Sequence, residues 1–327
     1  MINLKKEFHN IEKIFHYLQL EEIDELGIIT FLNRDTVYAK TKKNSYLVSI
    51  KSLKDVERDY QKSKITKIKS LEFFDDNGIH SIFPMKFNEK YFVNYRNKDY
   101  EIYKYIQTSH KAQSEINDKL LKKLATTQAI IHNLNVKLSL PHPYKEVKIH
   151  LEKKIKKLSK YSEKGAQSVY DSVYQLDEII KEYNKSIKYV EQNLILGYDK
   201  YDLNNIEWIK DYMYIVDYEN CKSVNPMVSL AEAAYYFSRT NHTLNFDTYK
   251  KYLKAYIKKS GPLPFDYKEA LIVSQGKLLL SLEQEILNSI DEKEDASPEI
   301  TELVEEIKVY HANLDKLYNI YLDIVKK

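Results

Sequence analysis

The period of the apolar residues alternates between helical and strand spacing up to about residue 106, then stays helical except for one brief interruption, and that pattern restricts the architecture more than any single motif. Residues 1–22 carry Leu4, Phe8, Ile11, Phe15 and Leu18 at spacings of three and four, an amphipathic helix able to lie on a larger body. From Ile28, β-branched and aromatic residues gather around turn signals at Asn33-Arg34-Asp35 and Lys42-Lys43-Asn44, which predicts two or three short strands. Residues 53–74 return to helical spacing. Residues 80–106 then read as two more strands joined at Asn88-Glu89, with a turn at Arg96-Asn97-Lys98 leading into an extended Tyr-rich segment. Residues 1–106 therefore predict a small antiparallel sheet carrying one main helix.

From Glu115 the period is mostly helical. Leu120, Leu124, Thr127, Ile131 and Leu134 form one stripe, a second helix restarts after the loop at Pro141 and Pro143, and a third covers 169–193. Residues 205–218 interrupt this run with "NIEWI" and "YMYIVDY", short and rich enough in Ile, Val, Tyr and Trp to predict a hairpin. Beyond Pro226, three or four helices are expected, with breaks at 260–266 and 291–299; the second break is acidic and reads as a solvated loop. The predicted class is α+β with two lobes: a sheet lobe over 1–106 and a larger, mostly helical lobe over 107–327, with 107–114 as a linker. That order suggests a kinase-like fold.

At 327 residues the chain is long enough for two cores. Its 51 basic and 48 acidic residues leave a formal net charge of +3, so charge alone implies neither a nucleic-acid nor a membrane partner. Cys221 is the single cysteine, which excludes an intramolecular disulfide and any Cys-based zinc site and fits a reducing compartment. The N-terminus lacks the unbroken apolar stretch of a secretory signal, and no apolar run reaches about 18 residues. The expected location is the cytoplasm. The 29 tyrosines support two accounts equally, AT-rich coding or a cation-binding pocket.

Phosphoryl transfer in a two-lobed protein needs a cation on the phosphates, oxygen ligands for magnesium and a carboxylate aimed at the attacking hydroxyl. Asp199 and Asn204 are separated by four residues, a spacing at which one turn can present the carboxylate to a hydroxyl and the amide oxygen to a metal. Asp217 follows the apolar "YMYIV", where it can aim a second oxygen at the same ion, and Glu219 is a further candidate.

These residues resemble the aminoglycoside phosphotransferase and choline kinase superfamily, including its bacterial branch of spore-coat kinase-like proteins. The signature His-x-Asp-x-x-x-x-Asn, an apolar strand and an Ile-Asp-Trp/Phe-Glu/Asp element is similar to Asp199 with Asn204, "NIEW" and "IVDYE". "LLKKLATTQAIIHNL" and "SLAEAAYYF" resemble two of its helices, and "FLNRDTVYAKTKKNSYLVSIK" resembles its small-lobe strands. The resemblance implies an ATP- and Mg²⁺-dependent phosphotransferase acting on a small-molecule hydroxyl. Asp199 would be the catalytic acid-base residue, Asn204 and Asp217 the metal ligands and Lys51 the phosphate-binding lysine, with Glu57 on the next helix as its ion-pair partner. Departures imply an alternative, a catalytically degenerate protein with a binding or structural role, for example in the spore coat. The family's histidine is Gly197 or Tyr198 here, the Asp of its Asp-Leu-Ala helix is Ser229, and no glycine lies between Gly27 and Lys51. Two registers remain open: if Asn205 rather than Asn204 heads the strand, the carboxylate position falls on Lys200, which cannot accept a proton while charged.

Other polar residues read more plainly. His132 lies on an apolar stripe and packs, His142 and His150 lack metal-ligand context, and Cys221 has no adjacent positive partner and reads as inert packing. The basic run 148–165 reads as a solvated helix face.

Overall fold

The computed structural model describes residues 3–31, 34–52, 58–240, 243–261 and 266–326. In chain order the elements are α1 (Phe8–Tyr17), β1 (Ile23–Phe31), β2 (Arg34–Thr41), β3 (Ser45–Ser52), α2 (Arg58–Asp76), β4 (Val93–Tyr95), β5 (Lys98–Lys104), α3 (Asp118–Asn133), α4 (Leu151–Leu158) and α5 (Glu163–Val190). There follow β6 (Ile195–Tyr198), β7 (Ile206–Ile209), β8 (Tyr212–Ile215), β9 (Cys221–Val224), α6 (Pro226–Ser238), β10 (Arg239–Thr240) and β11 (Thr243–Leu244). Five helices close the chain: α7 (Phe246–Ser260), α8 (Tyr267–Ser274), α9 (Gly276–Glu292), α10 (Ser297–Ala312) and α11 (Leu314–Val325). They form two compact units, a sheet unit of Met1–Glu115 with Lys200–Lys222, and a helical unit of Ile116–Asp199 with Ser223–Lys327.

In the sheet unit the strand order is β1-β2-β3-β5-β4, every neighbour antiparallel. Side chains alternate between faces along a strand, so the sequence assigns each face a chemistry. Tyr46, Val48, Tyr100 and Ile102 point to one face, where Ile11, Ile14 and Phe15 of α1 cover them. Phe15 meets Tyr46 edge-on at 5.4 Å. The alternate positions run apolar at one end and ionic at the other. Leu47 and Tyr103 join Ile82 and Val216 in a second small core, while Ser49, Lys51, Asp99 and Glu101 continue the same face in register, Lys51 opposite Asp99 and Ser49 opposite Glu101. That ionic end is where the candidate site forms.

The hairpin β7–β8 belongs to this unit. Ile215 exchanges backbone hydrogen bonds with His80 and Ile82, and Trp208 exchanges them with Ser109, all at 2.9–3.0 Å. Residues 80–90 thus depart from the expectation of a strand pair joined at Asn88-Glu89. Pro84 has no N–H for a ladder, Asn88 and Glu89 take positive φ, and only the Phe87–Lys90 bridge closes. The fifth strand is β4, joined to β5 through the turn at Arg96 and Asn97. The predicted turn at Asn33-Arg34-Asp35 lies partly outside the described residues.

The helical unit packs α3 on α7, α5 on α10 and α6 on α8. Its core is rich in tyrosine, and six of the buried hydroxyls are paired. Tyr249 meets Tyr267 at 2.6 Å, Tyr252 donates to Gln128 at 2.9 Å, Tyr256 meets His132 at 2.6 Å, Tyr183 donates to the Lys145 carbonyl at 2.9 Å and Tyr310 meets Ser274 at 2.6 Å. These tyrosines are core residues with satisfied polar tips, not the wall of a cation pocket. Six helices follow Pro226 among the described residues rather than three or four, and the helix expected from Pro143 onward is confined to Leu151–Leu158. Among the described residues no helix is long and apolar enough to cross a membrane.

Candidate active site

The ionic face of the sheet is closed by α2, which sends two lysines onto it. Lys64 is fully buried, 2.6 Å from Glu101 and 3.1 Å from Asp99, with the Phe92 ring 4.3 Å from its ammonium. Three side chains therefore saturate Glu101: Lys64, the Tyr103 hydroxyl at 2.8 Å and the Tyr218 hydroxyl at 2.6 Å. Burial acts to raise the Glu101 carboxyl, but Lys51 and Lys64 outweigh it and hold it below the usual range. Burial and the Glu101 carboxylate push the Tyr218 hydroxyl far above its ordinary value, so it stays a donor.

Lys51 lies at the mouth of this network. Its ammonium is 2.9 Å from the Tyr218 hydroxyl, 3.2 Å from Glu219 Oε1 and 3.8 Å from Glu101. Glu219 Oε2 accepts from Lys67 of α2 at 3.0 Å. Burial raises the Glu219 carboxyl, and Lys51 followed by Lys67 more than offsets it, leaving it below the usual range. Lys51, Ser49, Glu101, Tyr103, Asp217 and Tyr218 line one cavity of about 30 Å³. That is room for about one water, so a phosphate oxygen enters only if a flexible side chain such as Lys51 moves. The structure thus brings Lys51 and Asp217, both expected site residues, to one wall. Glu57 lies outside the described residues.

Asp217 ends the segment after β8 with φ 66°, the left-handed region that a non-glycine residue adopts rarely. Its Oδ1 accepts from the Glu219 N–H at 3.2 Å, and its Oδ2 from the Asn220 side-chain amide at 3.3 Å. The same Asn220 amide donates to Asn205 Oδ1 at 3.0 Å. Asn205 is 9% exposed and anchored by donating to Asp202 and to the Lys200 carbonyl. Asn204 is exposed, its N–H bonded to Asp202 at 3.0 Å. The two asparagines therefore separate: the network around Asp217 contains Asn205, with Asn204 on the solvent side.

A carboxylate and an amide oxygen converging on one donor is a set that suits magnesium, which takes few protein ligands plus water and phosphate oxygens. Among the described residues no three His, Cys, Asp or Glu side chains group to hold a metal, so an ion here would depend on amide, water and phosphate oxygens. Asn205 was one of two registers left open by the sequence; Asn220, Glu101, Lys64 and Lys67 were not identified from it. The Asn-Asn pair before an apolar strand was the available signal for Asn205; for the lysines there was none, because a buried lysine looks like any other in a lysine-rich chain.

Asp199 closes β6 in the helical unit and is buried. Lys277 of α9 contacts its carboxylate at 3.0 Å and its carbonyl at 2.7 Å, and bonds Glu232 of α6 at 2.7 Å. Burial lowers the Lys277 ammonium, but Glu232 and then Asp199 outweigh it and raise it above its ordinary value. Gly197, two residues earlier, is where one register expects histidine; a Cβ there would sit 2.2 Å from Val224 Cγ2, so the position admits no side chain as packed. Ser229 is bonded through its carbonyl and hydroxyl to Gln128 at 2.9 and 3.1 Å. Cys221 is fully buried, and burial pushes its thiol well above its ordinary value, which makes it unreactive.

The architecture is the protein-kinase-like fold in the form carried by aminoglycoside phosphotransferases and choline kinases. A spectinomycin phosphotransferase solved with ADP and spectinomycin matches at a TM-score of 0.65 and 12% identity, covering 98% of each chain. An aminoglycoside phosphotransferase from Alicyclobacillus acidocaldarius matches at 0.61 and 10% identity over 93% of each chain. A choline kinase from Cryptosporidium parvum matches at 0.55 and 11% identity, over 98% of this chain and 99% of its own. No protein-family model matches the sequence, and no curated protein is similar to it in sequence.

Proposed function

We propose that the chain is an ATP- and Mg²⁺-dependent phosphotransferase that acts on the hydroxyl of a small molecule. The observation that carries this reading is the shared cavity of Lys51 and Asp217, a cation and an anion on one wall of the sheet unit. Lys51 would hold a phosphate oxygen in place of the Tyr218 hydroxyl. Asp217 and Asn205 would hold magnesium, which when bound neutralises phosphate charge. Asp199 would take the proton of the acceptor hydroxyl, with Lys277 fixing its orientation. The solved kinases of this fold, some bound to ADP, AMP or AMP-PNP, support nucleotide use.

A second reading is a nucleotide-binding protein without catalysis. It is favoured by Asn205 being the buried asparagine, because the residue five before it is the exposed Lys200. Calorimetry with ATP and magnesium, followed by phosphate-release assays over aminoglycoside, amino-alcohol and sugar acceptors, separates the readings. The enzyme reading expects wild type to bind and turn over, Asp217→Ala to lose magnesium-dependent binding, and Asp199→Asn to keep binding and lose turnover. Binding without turnover on any acceptor favours the second reading; no binding by folded wild type refutes both.

A further inference from the structure

Lys51 faces two carboxylates, and the geometry shows which of them sets its position. Glu101 is 3.8 Å away and already accepts from Lys64, Tyr103 and Tyr218. Glu219 is at hydrogen-bond distance, 3.2 Å. Its other oxygen is fixed by Lys67 at 3.0 Å, and its backbone N–H is fixed by Asp217 Oδ1 at 3.2 Å. One residue thus joins the ammonium on the cavity wall, the helix behind it and the strained residue that ends the hairpin. Its two lysine partners also repel each other, so the carboxylate between them holds both in place.

We propose that Glu219 is the positioning residue for Lys51, tied down by Lys67, and that it makes the Lys51 ammonium and the Asp217 carboxylate move as one unit. The consequence for function rests on the phosphotransferase reading, but the positioning itself does not. With Glu219 neutralised, Lys51 keeps the Tyr218 hydroxyl and the more distant Glu101 but loses its one hydrogen-bonded carboxylate, so its amine is held less firmly and is more open to a reagent.

The test is competitive acetylation with acetic anhydride at pH 8 on the nucleotide-free protein, read residue by residue by mass spectrometry. Wild type, Glu219→Gln and Glu219→Asp are compared, with exposed Lys104 as the internal reference. Acetylation of Lys51 relative to Lys104 is expected to rise about fivefold in Glu219→Gln and less in Glu219→Asp, which restores the charge on a shorter stem. If Glu219→Gln does not fold, Glu219→Asp carries the test: its shorter stem cannot reach both Lys51 and Lys67, so a smaller rise at Lys51 is expected. Unchanged Lys51 labelling in the folded variants overturns the proposal. Magnesium-ATP affinity is measured on the same samples: raised labelling with a wild type that binds no nucleotide retains the positioning role and removes the phosphotransferase reading. Raised labelling with about tenfold weaker binding in Glu219→Gln supports both.

Discussion

Asn204 and Asn205 are adjacent, chemically identical and structurally opposite, which makes them the sharpest residue-scale test of the metal assignment. Asn205 is buried in the network that reaches Asp217 through Asn220, whereas Asn204 is exposed. If Asn205 is the magnesium ligand proposed above, Asn205→Ala is expected to weaken magnesium-dependent nucleotide binding at least about tenfold, from loss of that ligand and of a buried amide partner. Asn204→Ala is expected to stay within about twofold. Calorimetry with and without magnesium reads both; equal losses would place the metal elsewhere. The sequence spacing of Asp199 to Asn204 left both asparagines open because counting along a chain ignores a 3₁₀ turn. Leu203–Asn205 forms one, capped by Asp202, and its rotation of about 120° per residue leaves Asn204 exposed and Asn205 buried.

At the scale of elements, the close approach of β6 to the Val224 side chain is a constraint that composition does not reveal. Gly197→Ala is expected to destabilise the protein by about 1–3 kcal/mol through overpacking, measured by urea unfolding, with partial recovery when Val224→Ala is added. A neutral result would mean that β6 can shift. Alternation and turn residues made β1, β2, β3 and the β7–β8 hairpin legible, because each has β-branched residues between clear turn signals. Residues 80–87 carried a similar composition and misled, since Pro84 and the bonds to Ile215 put that stretch beside the hairpin instead of in a strand pair of its own. Helix α2 was legible as a helix, but its inward lysines were not. Lys64 is buried only because Asp99 and Glu101 arrive from a strand 35 and 37 residues later in the chain, a pairing that no local pattern encodes.

Over the whole molecule, the two units are expected to respond to acid in different pH windows. Burial holds the His132 imidazole down to about 3 from its ordinary 6.5, so it stays neutral in the folded helical unit. The unfolded chain binds a proton there first; stability is full above pH 6.5 and falls as pH drops toward 3, by at most about 1.4 kcal/mol per pH unit. Glu101 and Glu219 lie below their ordinary 4.5, so their contribution to the sheet unit is present above pH 4.5 and is lost only below it. Hydrogen exchange corrected for intrinsic rates should therefore show α3 and α7 losing protection between pH 6.5 and 5 while α2 and β5 hold. His132→Phe should abolish that early loss, and loss in α2 first would contradict the assignment. The sheet unit is also assembled from two stretches of chain, Met1–Glu115 and Lys200–Lys222, with the helical unit's first stretch threaded between them. On a ribosome adding roughly 5–20 residues per second, the nascent sheet waits some seconds for its hairpin, leaving Ile82, Tyr103 and the buried end of Lys64's partner strand without their final cover during that interval.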